Sequence, residues 1–211
     1  TFKYEIPYML LITAVLLVMG MTGNEITFIE GVILWILFIA YLLYLYFLAK
    51  KGNDSGDEQS VKLYPVWKCL LFIVLGGVCV VIGSQLVVNG ATTIARACGM
   101  SERFIGLTIV AFGTSLPELV TSVSAARKGN AGIAIGNIVG SNIFNILFVI
   151  GTVALICPVP FESRFVIDTV VAILCGVLLW GGTIRHKELR KPCGVVMLLC
   201  YAAYFVYLAA M

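Results

Sequence analysis

Gly113-Thr114-Ser115-Leu116-Pro117-Glu118 stands in the middle of residues 104–126, an apolar segment long enough to cross a bilayer. A proline and an acid at that depth are both costly. Pro117 has no N–H, so the carbonyl of Gly113, four residues earlier, loses its helical partner, and Gly113 loosens the same turn. A carboxylate at the centre of a spanning helix costs about 2.5–3.5 kcal/mol on insertion scales. Irregular backbone at membrane depth survives only where it is buried in protein or lines a cavity. The stretch therefore predicts a broken membrane helix whose acid and freed carbonyls face a polar cavity. No Lys or Arg lies at matching depth to compensate the charge. A cation can do so.

Composition agrees with a membrane reading. Charged residues make up 12% of the chain, roughly half the usual share for a soluble domain, and mean hydropathy is +1.04. Seven apolar segments can be drawn, at about 6–22, 28–49, 66–90, 104–126, 132–157, 165–184 and 193–211. Between the second and third lies a polar stretch, 50–65, whose Asp54, Asp57 and Glu58 do not have EF-hand spacing, so it reads as a solvated linker. The net charge of +3 gives no reason to expect nucleic acid as a partner. No cysteine stands in a CxxC pair and the lone His186 offers no zinc-ligand spacing, so the cysteines read as small apolar packing residues.

Seven spans place alternate loops on opposite sides. Lys3, Lys50, Lys51, Lys62, Lys68, Arg127, Lys128, Arg185, Lys187, Arg190 and Lys191 fall on one side, against only Arg96, Arg103 and Arg164 on the other. Basic loops stay cytoplasmic, which puts the 50–65 loop inside and the C-terminus outside. Placing residues 1–48 on 164–211 without a gap matches Phe2 with Phe165, Glu5 with Asp168, Gly31 with Gly194, and Tyr41 and Tyr44 with Tyr204 and Tyr207. That register predicts a duplicated unit. Residues 66–211 hold a complete five-span copy and 1–49 the last two spans of another. An odd span number sets tandem copies in opposite orientations, the inverted repeat of secondary transporters. By the same offset, roughly 100 further residues are expected before Thr1, or in a partner chain.

The span after the broken one repeats its chemistry. Asn137, Ser141 and Asn145 fall at i, i+4 and i+8, on one stripe of a helix, with Asn142 beside them. Gly136 and Gly140 allow a close helix approach. Each polar residue alone is explained by helix packing, but an intramembrane acid flanked by such a stripe points to a ligand. Carboxylate, hydroxyl, amide and carbonyl oxygens suit hard cations such as Ca²⁺, Na⁺ or Mg²⁺. An intramembrane protease would need a base near Ser115, and the only histidine lies in a loop. A structural subunit, with the polar groups only holding helices together, is a competing possibility.

The run Gly106-Leu107-Thr108-Ile109-Val110-Ala111-Phe112-Gly113-Thr114-Ser115-Leu116-Pro117-Glu118-Leu119 resembles the second α-repeat of the sodium/calcium exchangers, in the calcium/cation antiporter superfamily. Gly136-Asn137-Ile138-Val139-Gly140-Ser141-Asn142-Ile143-Phe144-Asn145 is similar to the second part of that repeat. The resemblance extends over 66–211, with Ser101-Glu102 leading into the motif span. It implies an all-α integral membrane protein of the ten-helix inverted-repeat exchanger fold, here truncated to about seven transmembrane helices. It also implies exchange of Ca²⁺ for Na⁺ by alternating access, with no permanently bound cofactor, in a bacterial inner membrane. Glu118 would be the central carboxylate, Ser115 and Ser141 hydroxyl ligands, and Ala111 and Thr114 carbonyl ligands. Asn145 occupies a position where potassium-dependent relatives carry Asp, and Asn137 and Asn142 would orient the site. The first α-repeat, with its own acid, is not in this sequence, so the site would be half built. Proton/calcium exchange is the alternative within the same class.

Overall fold

A computed structural model describes residues 3–52, 65–100, 105–184 and 188–210. Most of the 50–65 linker, Ser101, Glu102 and His186 lie outside the described residues. The chain opens with α1 (Glu5–Gly23), closed by Asn24 in the left-handed conformation at φ 55°. Strand β1 (Glu25–Ile26) leads into α2 (Phe28–Gly52). A reciprocal cap starts α2: the Thr27 N–H donates to Glu30 Oε2 at 2.7 Å while the Glu30 N–H reaches Thr27 Oγ1 at 3.5 Å.

The long helix α3 (Val66–Ala97) runs about two turns past its expected end at residue 90. Thr92 and Thr93 do not stop it, because both hydroxyls donate to the Asn89 carbonyl, at 2.9 and 2.8 Å, and so present less polarity to their surroundings. The motif span follows as a π-helical turn π1 (Gly106–Val110), α4 (Ala111–Thr114) and α5 (Leu116–Arg127). Next come α6 (Ala131–Phe144), a second π-helical turn π2 (Asn145–Ile150) and α7 (Gly151–Ile156). Strand β2 (Val159–Pro160), α8 (Ser163–Thr183) and α9 (Lys191–Ala210) complete the chain.

Among the described residues, five segments are long and apolar enough to span a membrane by themselves: Glu5–Gly23, Phe28–Lys51, Val66–Ala97, Ala131–Ile156 and Ser163–Thr183. The other two expected spans are the interrupted motif helix and α9. The molecule is a predominantly helical membrane protein. Its apolar exterior shows this too, with Leu11, Ile29, Phe72 and Leu174 largely exposed while Ile12, Leu34, Val139 and Leu147 are buried. Strands β1 and β2 pair antiparallel, Ile26 opposite Val159, so the α1–α2 and α7–α8 loops meet on one face, as the span count requires.

Segments far apart in sequence pack together: α1 lies on α8, and α2 on α7. Glycine makes the second crossing possible. A Cβ on Gly31 would stand 2.9 Å from Ala154 Cβ and 3.0 Å from the Gly151 carbonyl oxygen, so the two backbones touch. Beside this crossing the Trp35 indole N–H donates to Thr152 Oγ1 at 3.2 Å. One pair of matched tyrosines in the 1–48 and 164–211 alignment makes the same local contact in both copies. Tyr41 stacks near Tyr44 with centroids 6.3 Å apart, as does Tyr204 near Tyr207, and the Tyr204 hydroxyl donates to Asp168 Oδ1 at 2.6 Å.

Candidate functional site

The motif helix breaks at Ser115. Its φ of −93° and ψ of 0° fall outside the helical basin, and its N–H turns back to the Phe112 carbonyl at 3.1 Å. Pro117 sits in the first turn beyond, where a missing N–H does no harm. The break therefore does two things: it disrupts the α4 ladder, and it gives α5 a fresh N-terminus. Glu118 lies in that first turn. The positive end of the α5 dipole there favours a carboxylate by about 0.3–1 kcal/mol. A compensation for the acid thus exists within the backbone itself, which span hydropathy alone does not reveal.

Helices α5 and α6 pack closely against each other, and beside their contact lies a cavity of about 500 Å³. Thr114, Ser115, Glu118 and Ser122 line it from the motif span, and Ser141, Asn142 and Asn145 from the facing span, with Leu119 and Ile138 between them. Six of the eight residues singled out from the sequence therefore border one space. Oε2 of Glu118 is buried and accepts no hydrogen bond among the described residues. Ser141 Oγ donates to the Ile138 carbonyl at 3.0 Å and Asn142 Nδ2 to the same carbonyl at 2.8 Å. That leaves the lone pairs of the hydroxyl and the amide oxygen as what these two residues can offer a ligand.

Of the other two, Ala111 opens α4, one turn before the break. Asn137 shares the helical stripe with Ser141 and Asn145 but does not line the cavity. Its Nδ2 donates to the Glu118 carbonyl at 3.1 Å and to Ser122 Oγ at 3.0 Å. Both of its amide hydrogens are thereby committed between the two helices. Ser122 is the lining residue that the motif reading missed. It completes the stripe Thr114, Glu118, Ser122 at four-residue intervals, a spacing visible in the sequence.

Among the described residues, no three His, Cys, Asp or Glu side chains converge. The cavity thus offers one carboxylate and several neutral oxygens, a donor set that suits a hard cation and supplies a single negative charge. On the opposite side of the break, Gly113 is pressed against α3 so closely that a Cβ there would overlap the Val88 side chain.

Comparison with known proteins gives a consistent picture. The family model for the sodium/calcium exchanger protein matches residues 68–210. The chain is 32% identical to the inner membrane protein YrbG of Escherichia coli, over 92% of this chain and 63% of that protein. It is 38% identical to the sodium/calcium exchanger MaX1 of Methanosarcina acetivorans, over 67% of this chain and 41% of that one. The solved sodium/calcium exchanger of Methanococcus jannaschii superposes with a TM-score of 0.76 at 31% identity, covering 95% of this chain and 63% of that structure. The chain thus spans between about two fifths and two thirds of the length of these relatives.

Proposed function

We propose that this chain, which belongs to the sodium/calcium exchanger protein family, supplies one half of the ion site of a secondary antiporter that exchanges Ca²⁺ for Na⁺. Members of this family are transporters and not enzymes, and the chain is an integral membrane protein. The observation that carries the finer reading is the buried, unpartnered Oε2 of Glu118 in a cavity otherwise walled by hydroxyl and amide groups. A buried acceptor without a donor needs a reason, and a transported cation provides one.

In this reading Glu118 is the charged ligand. Ser115, Ser141, Asn142 and Asn145 add neutral oxygens, and Ala111 and Thr114 contribute backbone carbonyls near the break. Ca²⁺ and Na⁺ compete for the same oxygens, so loading one excludes the other. One carboxylate leaves a divalent ion half neutralised. The second acid comes from the copy of the repeat that corresponds to residues 66–163, in the same protein or in a partner chain. Residues 66–211 form the complete repeat, 1–49 the end of the other, and 50–65 a cytoplasmic linker. The C-terminus faces outward from a bacterial inner membrane.

Flux into lipid vesicles tests this directly. The protein carrying both repeats should take up ⁴⁵Ca²⁺ down an opposing sodium gradient, and residues 1–211 alone should not. Sodium-driven uptake by residues 1–211 alone would refute the half-site. Uptake that follows a proton gradient and ignores sodium would replace the reading with proton-coupled exchange.

A further inference from the structure

One helical turn past Glu118, a chain of hydrogen bonds joins α5 to α6. Asn137 Nδ2 donates to the Glu118 carbonyl at 3.1 Å and to Ser122 Oγ at 3.0 Å, and Ser122 Oγ donates to the Ala134 carbonyl at 3.2 Å. The direction of every bond is fixed by chemistry. The two carbonyls can only accept, so the group facing Glu118 must be the Asn137 amide nitrogen, and the Ser122 hydrogen must go to Ala134. Ser122 is only 7% exposed. The two residues that Asn137 holds, 118 and 122, are the two ends of one helical turn, the turn that carries the acid.

We propose that Ser122 and Asn137 are positioning residues for Glu118: they fix the backbone turn from 118 to 122 against α6 and thereby set the affinity for the transported cation without ligating it. This rests on the reading of Glu118 as a cation ligand. The carboxylate itself has nothing to hold Oε2, so its place in the cavity depends on the backbone beneath it. That backbone is secured by Asn137, whose two amide hydrogens are both spent on the task, and by Ser122, which both accepts and donates in the same lattice. Aligned ligands are what a binding site gains from such support, because ordering the acid beforehand removes that cost from binding.

The variants separate positioning from ligation. An aspartate at 137 would add a carboxylate beside the cavity but could no longer donate to the Glu118 carbonyl at neutral pH. Ligation by residue 137 predicts equal or tighter cation binding in Asn137→Asp, whereas positioning predicts weaker binding. The experiment uses the protein with both repeats, reconstituted in vesicles, with ⁴⁵Ca²⁺ uptake driven by sodium and normalised to folded protein. Ser122→Ala and Asn137→Asp each break two of these three hydrogen bonds and should each raise the half-saturating Ca²⁺ by about tenfold or more. The maximal rate should stay within about twofold, since the chemistry of the ligands is untouched. Ser122→Thr, which keeps the hydroxyl, should restore half-saturation to within about threefold of the parent.

Hydrogen–deuterium exchange over residues 118–124, read without any cation, should quicken in Ser122→Ala and not in Ser122→Thr. Unchanged half-saturation, tighter binding in Asn137→Asp, a threonine variant as impaired as alanine, or unaltered exchange would each overturn the inference. If the unmutated protein neither takes up nor binds Ca²⁺, the reading of Glu118 fails and this inference with it. If the unmutated protein works and the variants match it, this inference alone fails.

Discussion

Replacing Glu118 by Gln should move binding and stability in opposite directions. Among the residues lining the cavity Glu118 is the one with a charge, so the substitution removes the whole negative charge of this half. At a Ca²⁺–oxygen distance of ~2.4 Å and an effective dielectric near 20, that charge attracts a divalent ion by about 14 kcal/mol before desolvation. Stripping water from the ion and the carboxylate cancels most of it, and removing one member of a buried charge pair typically costs about 2–5 kcal/mol. Ca²⁺ affinity should therefore fall by roughly 30-fold to several thousand-fold.

Without cation the sign reverses. The parent holds an unpartnered Oε2 at the cost of an intramembrane acid, which the α5 dipole offsets by only about 0.3–1 kcal/mol. A neutral amide is cheaper to bury. Thermal unfolding in chelator should show the Gln variant at least as stable as the parent. Adding Ca²⁺ at about 100 times the parent's dissociation constant should stabilise the parent by about 2.7 kcal/mol and the variant by less than about 1 kcal/mol. A Gln variant that melts earlier in chelator, beside a parent indifferent to Ca²⁺, would refute the argument. The acid would then be a structural group.

Three other outcomes follow from the packing. Gly31→Ala should force α2 and α7 apart, because the new Cβ meets Ala154 Cβ and the Gly151 oxygen at 2.9 and 3.0 Å; overpacking of this kind costs about 1–3 kcal/mol, read as a lower melting temperature. Gly113→Ala should disturb the seat of α3 and lower transport, and the double variant with Val88→Ala, which removes the overlapping atoms, should recover most of the loss. Tyr204→Phe should cost about 1 kcal/mol in thermal unfolding by leaving Asp168 without its 2.6 Å donor, while transport per folded protein stays near the parent value.

Much of the architecture is legible in the sequence because lipid is an unforgiving solvent. Helix length and apolarity mark the spans at Glu5–Gly23, Phe28–Lys51 and Ser163–Thr183, and a proline four residues after a glycine marks the break. The cavity is legible for a related reason: Thr114, Ser115, Glu118, Ser141, Asn142 and Asn145 are too polar for their depth without a shared purpose. What escapes the sequence is geometry that composition does not encode. The two π-helical turns at Gly106–Val110 and Asn145–Ile150 carry no residue pattern that tells them from an α-helical turn. Asn137 has the same spacing as a ligand, and only its contacts show it bound into the wall. Ser122 lies at four-residue spacing from Glu118, but nothing in the sequence marks it out from Thr121 or Ser124 beside it. Helix α3 continues past residue 90 because Thr92 and Thr93 bond back to their own helix, so polar side chains there do not mark a loop.

The glycine crossing of α2 with α7 also bears on how the protein is made. Trp35 and the Thr152 it bonds are separated by 117 residues. A ribosome adding about 5–20 residues per second needs roughly 6–23 s to cover that distance. During that wait α1 and α2 are already in the bilayer, joined to each other by the Tyr8 hydroxyl on the Leu37 carbonyl and by the Tyr8–Tyr41 stack. Their lasting partners, α7 and α8, have yet to leave the translocon. The bare groove at Gly31 and the indole N–H of Trp35 face lipid or a chaperone until then. Assembly is thus a second stage after insertion, and the nascent hairpin is the point at which a slow or crowded membrane would first go wrong.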